Sequence, residues 1–147
     1  MYYFLDVDGV LNNEQDWRKP FTVNTSCLSC FKEVISRDKD AHVILSSTWR
    51  TGLTVTGATM DKEASLNEYM ARLGLTIEGV TPITNKSRQE EIEYYIRRNG
   101  VTKYIVLDDD RSLFPRAAEI NIYFTNYKTG LTAHDVKQIL KMIKKMK

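Results

Sequence analysis

The chain has 147 residues, 42% hydrophobic and 27% charged, which is enough for one domain whose core needs no disulfide or metal staple and which excludes a disordered or fibrous protein. The net charge of +2 excludes strong whole-molecule attraction to nucleic acid, although residues 128–147 hold six Lys and one Asp and leave a mildly acidic remainder. The first apolar run stops at Asp6, too short for a secretory signal or a membrane span, so the expectation is a cytoplasmic protein without membrane contact.

From Tyr2 that apolar run reads as a buried strand, and it delivers Asp6-Val7-Asp8-Gly9: two carboxylates one residue apart, then a residue able to turn sharply. Asn12 to Phe21, with Trp17 and Pro20, lacks a period and reads as a loop or small flap over the strand's exit. Asn24 or Thr25 caps a helix whose apolar stripe is Leu28, Phe31, Val34 and Ile35. Cys27 and Cys30 fall on or beside that stripe. A single Cys-x-x-Cys with only His42 and His134 to complete a set does not make a structural zinc site, so reduced thiols are expected.

Val43-Ile44-Leu45 forms a second strand, running into Ser46-Ser47-Thr48-Trp49-Arg50. Thr51 to Thr59, rich in Thr and Gly, reads as irregular and exposed. Leu66, Tyr69, Met70 and Leu73 follow helical spacing, with Gly74 at the C-cap, and a short strand is expected around Leu75 to Ile77. Ser87 and Glu90 make a capping box that opens a helix reaching Gly100. Tyr104 to Leu107 is a strand ending in Asp108-Asp109-Asp110; a helical turn from Leu113 to Ala118 and a strand from Asn121 to Phe124 follow. The last helix opens with Thr132 and Asp135 and carries Val136, Ile139, Leu140, Ile143 and Met146 on one face, its lysines forming a solvated face.

Strands alternating with helices of this length predict a single α/β domain over residues 1–147: a mostly parallel, doubly wound sheet covered on both faces, in three layers. In such sheets ligands bind beyond the carboxyl ends of the strands, where all three polar clusters fall. Each cluster, and Arg88 with them, has a plain reading alone: an Asp-Gly turn, a serine pair ending a strand, a solvated acidic turn, and Arg88 pairing with Glu91 or Glu93. Their coincidence at matching strand ends favours a site. Asp6, Asp8, Asp108 and Asp109 brought together must take up protons or share a hard cation; Mg2+ is the simpler answer and suits a phosphate substrate.

Asp6-Val7-Asp8-Gly9-Val10, Ser46-Ser47, a basic residue among Lys86 and Arg88, and Leu107-Asp108-Asp109 together resemble the haloacid dehalogenase (HAD) superfamily of aspartate-nucleophile phosphohydrolases. More closely, the chain resembles the small phosphatase-type HAD domains associated with RNA repair, many from phages and bacteria. Those carry Ser-Ser-x-Trp-Arg (here Ser46 to Arg50), Arg-x-x-Glu-Ile (Arg88 to Ile92), Leu-Asp-Asp-Asp (Leu107 to Asp110) and a late Gly-Leu-Thr (Gly130 to Thr132).

The resemblance implies an HAD-like Rossmannoid fold and a Mg2+-dependent phosphomonoester hydrolase. Asp6 would be the nucleophile that forms an aspartyl-phosphate and Asp8 the general acid and base. Magnesium would be held by Asp6, the Asp8 backbone carbonyl, Asp108 and Asp109. Ser46 would donate to the phosphoryl group with backbone amides near Val7, Asp8 and Ser47, and either Arg88, favoured by its offset from Ile92, or Lys86 would be the phosphate-binding cation. Arg50, just beyond a site strand, is a candidate substrate contact, and Trp49 is either a core or lid residue or a stacking platform. A core helix consumes most of each interval that could hold a cap, so a minimal cap or none is expected, with an open site and a nucleic-acid end or nucleotide as the phosphorylated substrate. No stable protein partner is inferred. The alternatives are a receiver-like phospho-acceptor domain and a non-catalytic adaptor with the same fold.

Overall fold

The computed structural model describes residues 1–19, 22–49 and 61–146. Five strands, β1 (Tyr2–Leu5), β2 (His42–Leu45), β3 (Ile77–Val80), β4 (Tyr104–Asp108) and β5 (Ile122–Phe124), pair in the order β3-β2-β1-β4-β5, every neighbour parallel. The helices among the described residues are α1 (Thr25–Ile35), α2 (Asp61–Arg72), α3 (Arg88–Asn99) and α4 (Ala133–Lys145). The chain builds from β1 through β2 to β3, then returns to the far side of β1 for β4 and β5. The winding therefore reverses between β1 and β4, as the doubly wound α/β reading requires.

Side chains alternate across the strands with period two. Tyr3, Leu5, Val43, Leu45, Ile105 and Leu107 meet Phe31 and Val34 of α1, Leu66 and Met70 of α2, and Val136 and Ile139 of α4 in the larger core. Phe4, Ile44 and Val106 face the other way, onto Ile92 of α3 and Phe114. Both faces are covered, which is why these strands read as unbroken apolar runs.

Local chemistry starts each helix where the sequence marks it. The Asn24 side chain accepts from the Ser26 and Cys27 N–H groups at the head of α1, a cap worth about 1 kcal/mol. Thr132 and Asp135 cap α4 reciprocally, and the Ser87 hydroxyl accepts from the Glu90 N–H at the head of α3. Both cysteines are free, Cys27 buried and Cys30 half-buried on α1.

Three elements differ from expectation. The strand expected over Leu75 to Ile77 runs instead over Ile77–Val80, because the Leu75 N–H closes α2 by donating to Met70 O at 2.9 Å and cannot also start a strand. The turn expected over Leu113 to Ala118 is split into 3-10 turns at Arg111–Leu113 and Ala117–Glu119. Pro115 causes the break, since the residue before a proline is pushed out of helical geometry and Phe114 sits at φ −127° and ψ 75°. The loop after β1 contains a 3-10 turn at Asp16–Arg18. The expected irregular stretch Thr51 to Thr59 lies outside the described residues. No helix among the described residues is long and apolar enough to cross a membrane.

Candidate active site

Backbone pairing continues one residue past the strands. The Ser46 N–H donates to Leu5 O at 2.9 Å, the Asp6 N–H to Leu107 O at 3.0 Å, and the Thr81 N–H to Leu45 O at 3.0 Å. Leu5, Leu45, Leu107 and Val80 all pack on the α1 side of the sheet. The residues that follow them, Thr81, Ser46, Asp6 and Asp108, therefore form a level row at the carboxyl end on the α3 side. All four are buried.

Arg88, the first residue of α3, reaches that row. Its Nη1 lies 3.0 Å from Asp108 Oδ2 and 3.3 Å from Asp6 Oδ1. Asp108 Oδ1 accepts from the Asp109 and Asp110 N–H groups at 2.7 and 2.9 Å, which folds the acidic triplet back over the strand end. Asp6, Asp108 and Asp109 each offer a carboxylate oxygen, all within 4.8 Å of one another. Gly9 makes this convergence possible: it turns at φ +84°, and a Cβ there would overlap the Asp109 carboxylate.

The acids press on one another. Burial above all, then the charge of Asp108, pushes the Asp6 carboxyl well up, with Arg88 pulling the other way. Burial and Asp108 likewise push Asp109 up to about 6, against a hydrogen bond from Asp6. For Arg88, burial disfavours the charged form, but Asp6 and Asp108 outweigh it and raise its pKa. One guanidinium thus stands against Asp6 and Asp108, with the Asp109 carboxyl clustered beside them. The shortfall of positive charge, the hard oxygen donors and their spacing all fit a divalent cation such as Mg2+.

Asp8 stands apart from this cluster and is gripped at both oxygens. Asn12 Nδ2 donates to its Oδ1 at 3.0 Å and Trp49 Nε1 to its Oδ2 at 3.2 Å. Asn12 is itself buried, donating also to Thr22 O at 2.9 Å and accepting from the Gly9 N–H at 2.9 Å and from Trp17 Nε1 at 2.8 Å. Residues 125–131 brace this turn from outside: the Leu131 N–H donates to Val10 O at 2.9 Å, the Glu14 N–H to Tyr127 O at 3.0 Å, and Thr125 Oγ1 to Gly9 O at 2.6 Å. Gly130 lets the loop approach so closely, since a Cβ on it would come 2.6 Å from Asn12 O.

Of the expected site residues, Asp6, Asp108, Asp109, Ser46 and Arg88 converge at the end of the sheet. Asp8 sits beside them on its own supports. Lys86 points away: its side chain is 71% exposed, 3.9 Å from Glu90. Ser47 Oγ accepts from the Trp49 N–H at 3.2 Å. Trp49 is buried in the larger core, and its indole N–H donates to Asp8. Arg50 lies outside the described residues. Two buried hydroxyls, Ser46 Oγ and Thr81 Oγ1, have no hydrogen-bond partner among the described residues, an arrangement suited to an anion that would accept from them.

Asn12 and Thr81 were not singled out from the sequence. Asn12 carried one usable signal, a polar residue directly after Val10-Leu11 in the turn following the acids; Thr81 carried only its place before Pro82.

A family model described as the HAD domain in Swiss Army Knife RNA repair proteins matches residues 2–136. No curated protein and no solved structure matches the chain.

Proposed function

The chain belongs to the HAD-domain family of Swiss Army Knife RNA repair proteins, and from that premise we propose that it is a Mg2+-dependent phosphomonoester hydrolase acting through an aspartyl-phosphate. The observation that carries the reading is the placement of Asp6 in the middle of the carboxyl-end row, with Arg88 within 3.3 Å and Asp108 and Asp109 around it. Asp8, two residues on, is held separately at both carboxylate oxygens. Two aspartates so close in sequence and so different in surroundings suit two different jobs.

In the first step an Asp6 carboxylate oxygen attacks phosphorus as the bond to the leaving oxygen breaks, and Asp8 gives its proton to that oxygen. In the second, Asp8 takes a proton from a water molecule that attacks the same phosphorus, the bond to Asp6 breaks, and inorganic phosphate leaves. Arg88 and the Ser46 hydroxyl bind the phosphoryl oxygens throughout, on the side where both lie next to Asp6. Asp6, Asp108 and Asp109 would hold Mg2+, joined by the Asp8 carbonyl by family resemblance. When bound, the ion supplies the positive charge that lets an anionic nucleophile approach an anionic phosphate.

Among the described residues, the intervals that would carry a cap hold α1 and one 3-10 turn between β1 and β2, and α2 and β3 between β2 and α3. An open site of this kind suits a large or extended substrate, and the family's association with RNA repair favours a nucleic-acid end or a nucleotide.

The test is incubation with Mg2+ and a chromogenic aryl phosphate, then a panel of 5′- and 3′-phosphorylated DNA and RNA, free nucleotides and phosphopeptides. Turnover lost in Asp6→Asn and Asp8→Asn is expected. Stable phosphorylation of Asp6 without turnover would point to a receiver-like domain, and no reaction with any phosphomonoester would point to an adaptor.

A further inference from the structure

The leaving oxygen has to lie against Asp8, so the group it belongs to must occupy space on that side of the site. A pocket of about 200 Å3 opens there, lined chiefly by Asp8, Asn12, Trp17, Lys19, Thr22 and Trp49. Trp17 is 45% exposed and stacks on Tyr127, itself 41% exposed, with ring centroids 5.9 Å apart and planes 18° apart. Only four large hydrophobic side chains among the described residues are this exposed, and two of them are this pair.

The platform is not a loose surface ring. Trp17 Nε1 donates to Asn12 Oδ1, and Asn12 Nδ2 donates to Asp8 Oδ1, so one buried amide ties the indole to the proposed general acid. Tyr127 is tied to the same loop through its carbonyl, which accepts from the Glu14 N–H. A flat group lying on Trp17 would be held in register with the Asp8 carboxyl, and Lys19 places a cation at the pocket's rim.

We propose that this pocket is the leaving-group subsite and takes a nucleobase, stacked on Trp17, from a phosphorylated nucleotide that is either free or at the end of a strand. The inference depends on the phosphatase reading above for the role of Asp8. The volume admits one planar ring rather than a base pair. An aliphatic leaving group such as a phosphoserine side chain has no flat face to offer the indole. Stacking accepts any base, because every base has a π-face.

The experiment compares kcat/KM with Mg2+ for 3′- and 5′-mononucleotides, end-phosphorylated oligonucleotides and their abasic counterparts, in wild type, Trp17→Ala and Trp17→Phe. A base is expected to raise kcat/KM by about tenfold or more, chiefly through KM; Trp17→Ala abolishes that advantage and Trp17→Phe keeps most of it. Equal kcat/KM with and without the base, or an advantage that survives Trp17→Ala, overturns the proposal. Both sources of the base support it: mononucleotides as good as oligonucleotides identify a free nucleotide, and a further gain with oligonucleotides that Lys19→Ala removes identifies a strand end. Titration of the same ligands into Asp6→Asn, followed by indole fluorescence, separates the two readings. Quenching by base-bearing but not abasic ligands, absent when Trp17→Phe is added, supports the subsite even where no hydrolysis occurs. Hydrolysis without base dependence leaves the phosphatase standing and sinks the subsite.

Discussion

Arg88 and Asp108 form a buried ion pair, Nη1 to Oδ2 at 3.0 Å, with the Asp108 side chain wholly shielded and that of Arg88 nearly so. Removing one partner of such a pair leaves the other uncompensated, at a cost of about 3–5 kcal/mol. Arg88→Ala should therefore lose both stability and at least about 100-fold in kcat/KM, a size typical for a donor at a developing charge. Arg88→Lys keeps the charge but loses the planar fork and should fall between. Lys86→Ala, on an exposed side chain, should change kcat/KM by no more than about threefold, within the small range of surface substitutions. Denaturant melts and steady-state kinetics on the three variants decide the assignment, and a larger loss in Lys86→Ala than in Arg88→Ala would reverse it.

Asn12 and Trp49 both donate to Asp8, and in the proposed mechanism they act as positioning residues. Asn12→Ala and Trp49→Phe should each lower kcat by about 10- to 100-fold, part of the 100- to 10,000-fold that a positioned acid supplies. KM should stay nearly unchanged, because the interaction lost is one made in the transition state. A drop in kcat that only follows a matching fall in melting temperature would assign them a structural role only.

Asp109, with its carboxyl pushed up to about 6, predicts a dependence of stability on pH. A carboxyl whose pKa is higher in the folded than in the unfolded chain binds more protons when folded, so its contribution is most favourable below the unfolded value and is lost as pH rises through the folded one. For Asp109 that window runs from 3.8 to about 6, and Asp6, also pushed up by burial and by Asp108, adds to the trend in the same direction. Metal-free protein should lose melting temperature as pH rises across this range. Asp109→Asn should flatten the slope and melt a few degrees higher near pH 8, at about 2–4 °C for each kcal/mol relieved. Added Mg2+ should raise the wild-type melting temperature near pH 8 and raise that of Asp109→Asn less. A thermal scan across pH, with and without chelator, would show a flat profile if the three acids were not crowded.

Gly9→Ala tests the approach of the two site loops. The new methyl meets the Asp109 carboxylate while φ stays at +84°, so the turn must open or the acid must move. The expected result is destabilisation of about 1–3 kcal/mol from the strained backbone, with weakened Mg2+ binding by calorimetry. Unchanged metal affinity would show that Asp109 is dispensable to it.

Much of this was legible because strand ends are. Apolar runs stopping at Asp6, Ser46 and Asp108 mark positions at the mouth of a parallel sheet, and the parallel register does the rest: residues following Leu5, Leu45 and Leu107 come level without further information. That Arg88 rather than Lys86 reaches the acidic row was partly legible too, since the Ser87 cap puts Arg88 in the first turn of α3. What escaped was carried by irregular backbone. Asn12 serves Asp8, Gly9, Trp17 and Thr22 through turn geometry that follows no period. The bracing of Gly9 by Thr125 spans 116 positions of sequence. Trp49 was ambiguous because an indole can fill a core and offer its N–H to a site at once, as it does here.

The central position of β1 has a consequence for how the protein comes into being. Its first strand leaves the ribosome before anything it pairs with, gains β2 after some forty residues, and stays open along its other edge until β4 has been made. A nascent chain halted before residue 104 would carry Asp6 at the end of a half-paired strand, with neither Asp108 nor Asp109 yet in existence. The acidic cluster cannot assemble before β4 is made, and protease pulses on stalled chains of increasing length should find Tyr2 to Leu5 cleavable until the fourth strand has emerged.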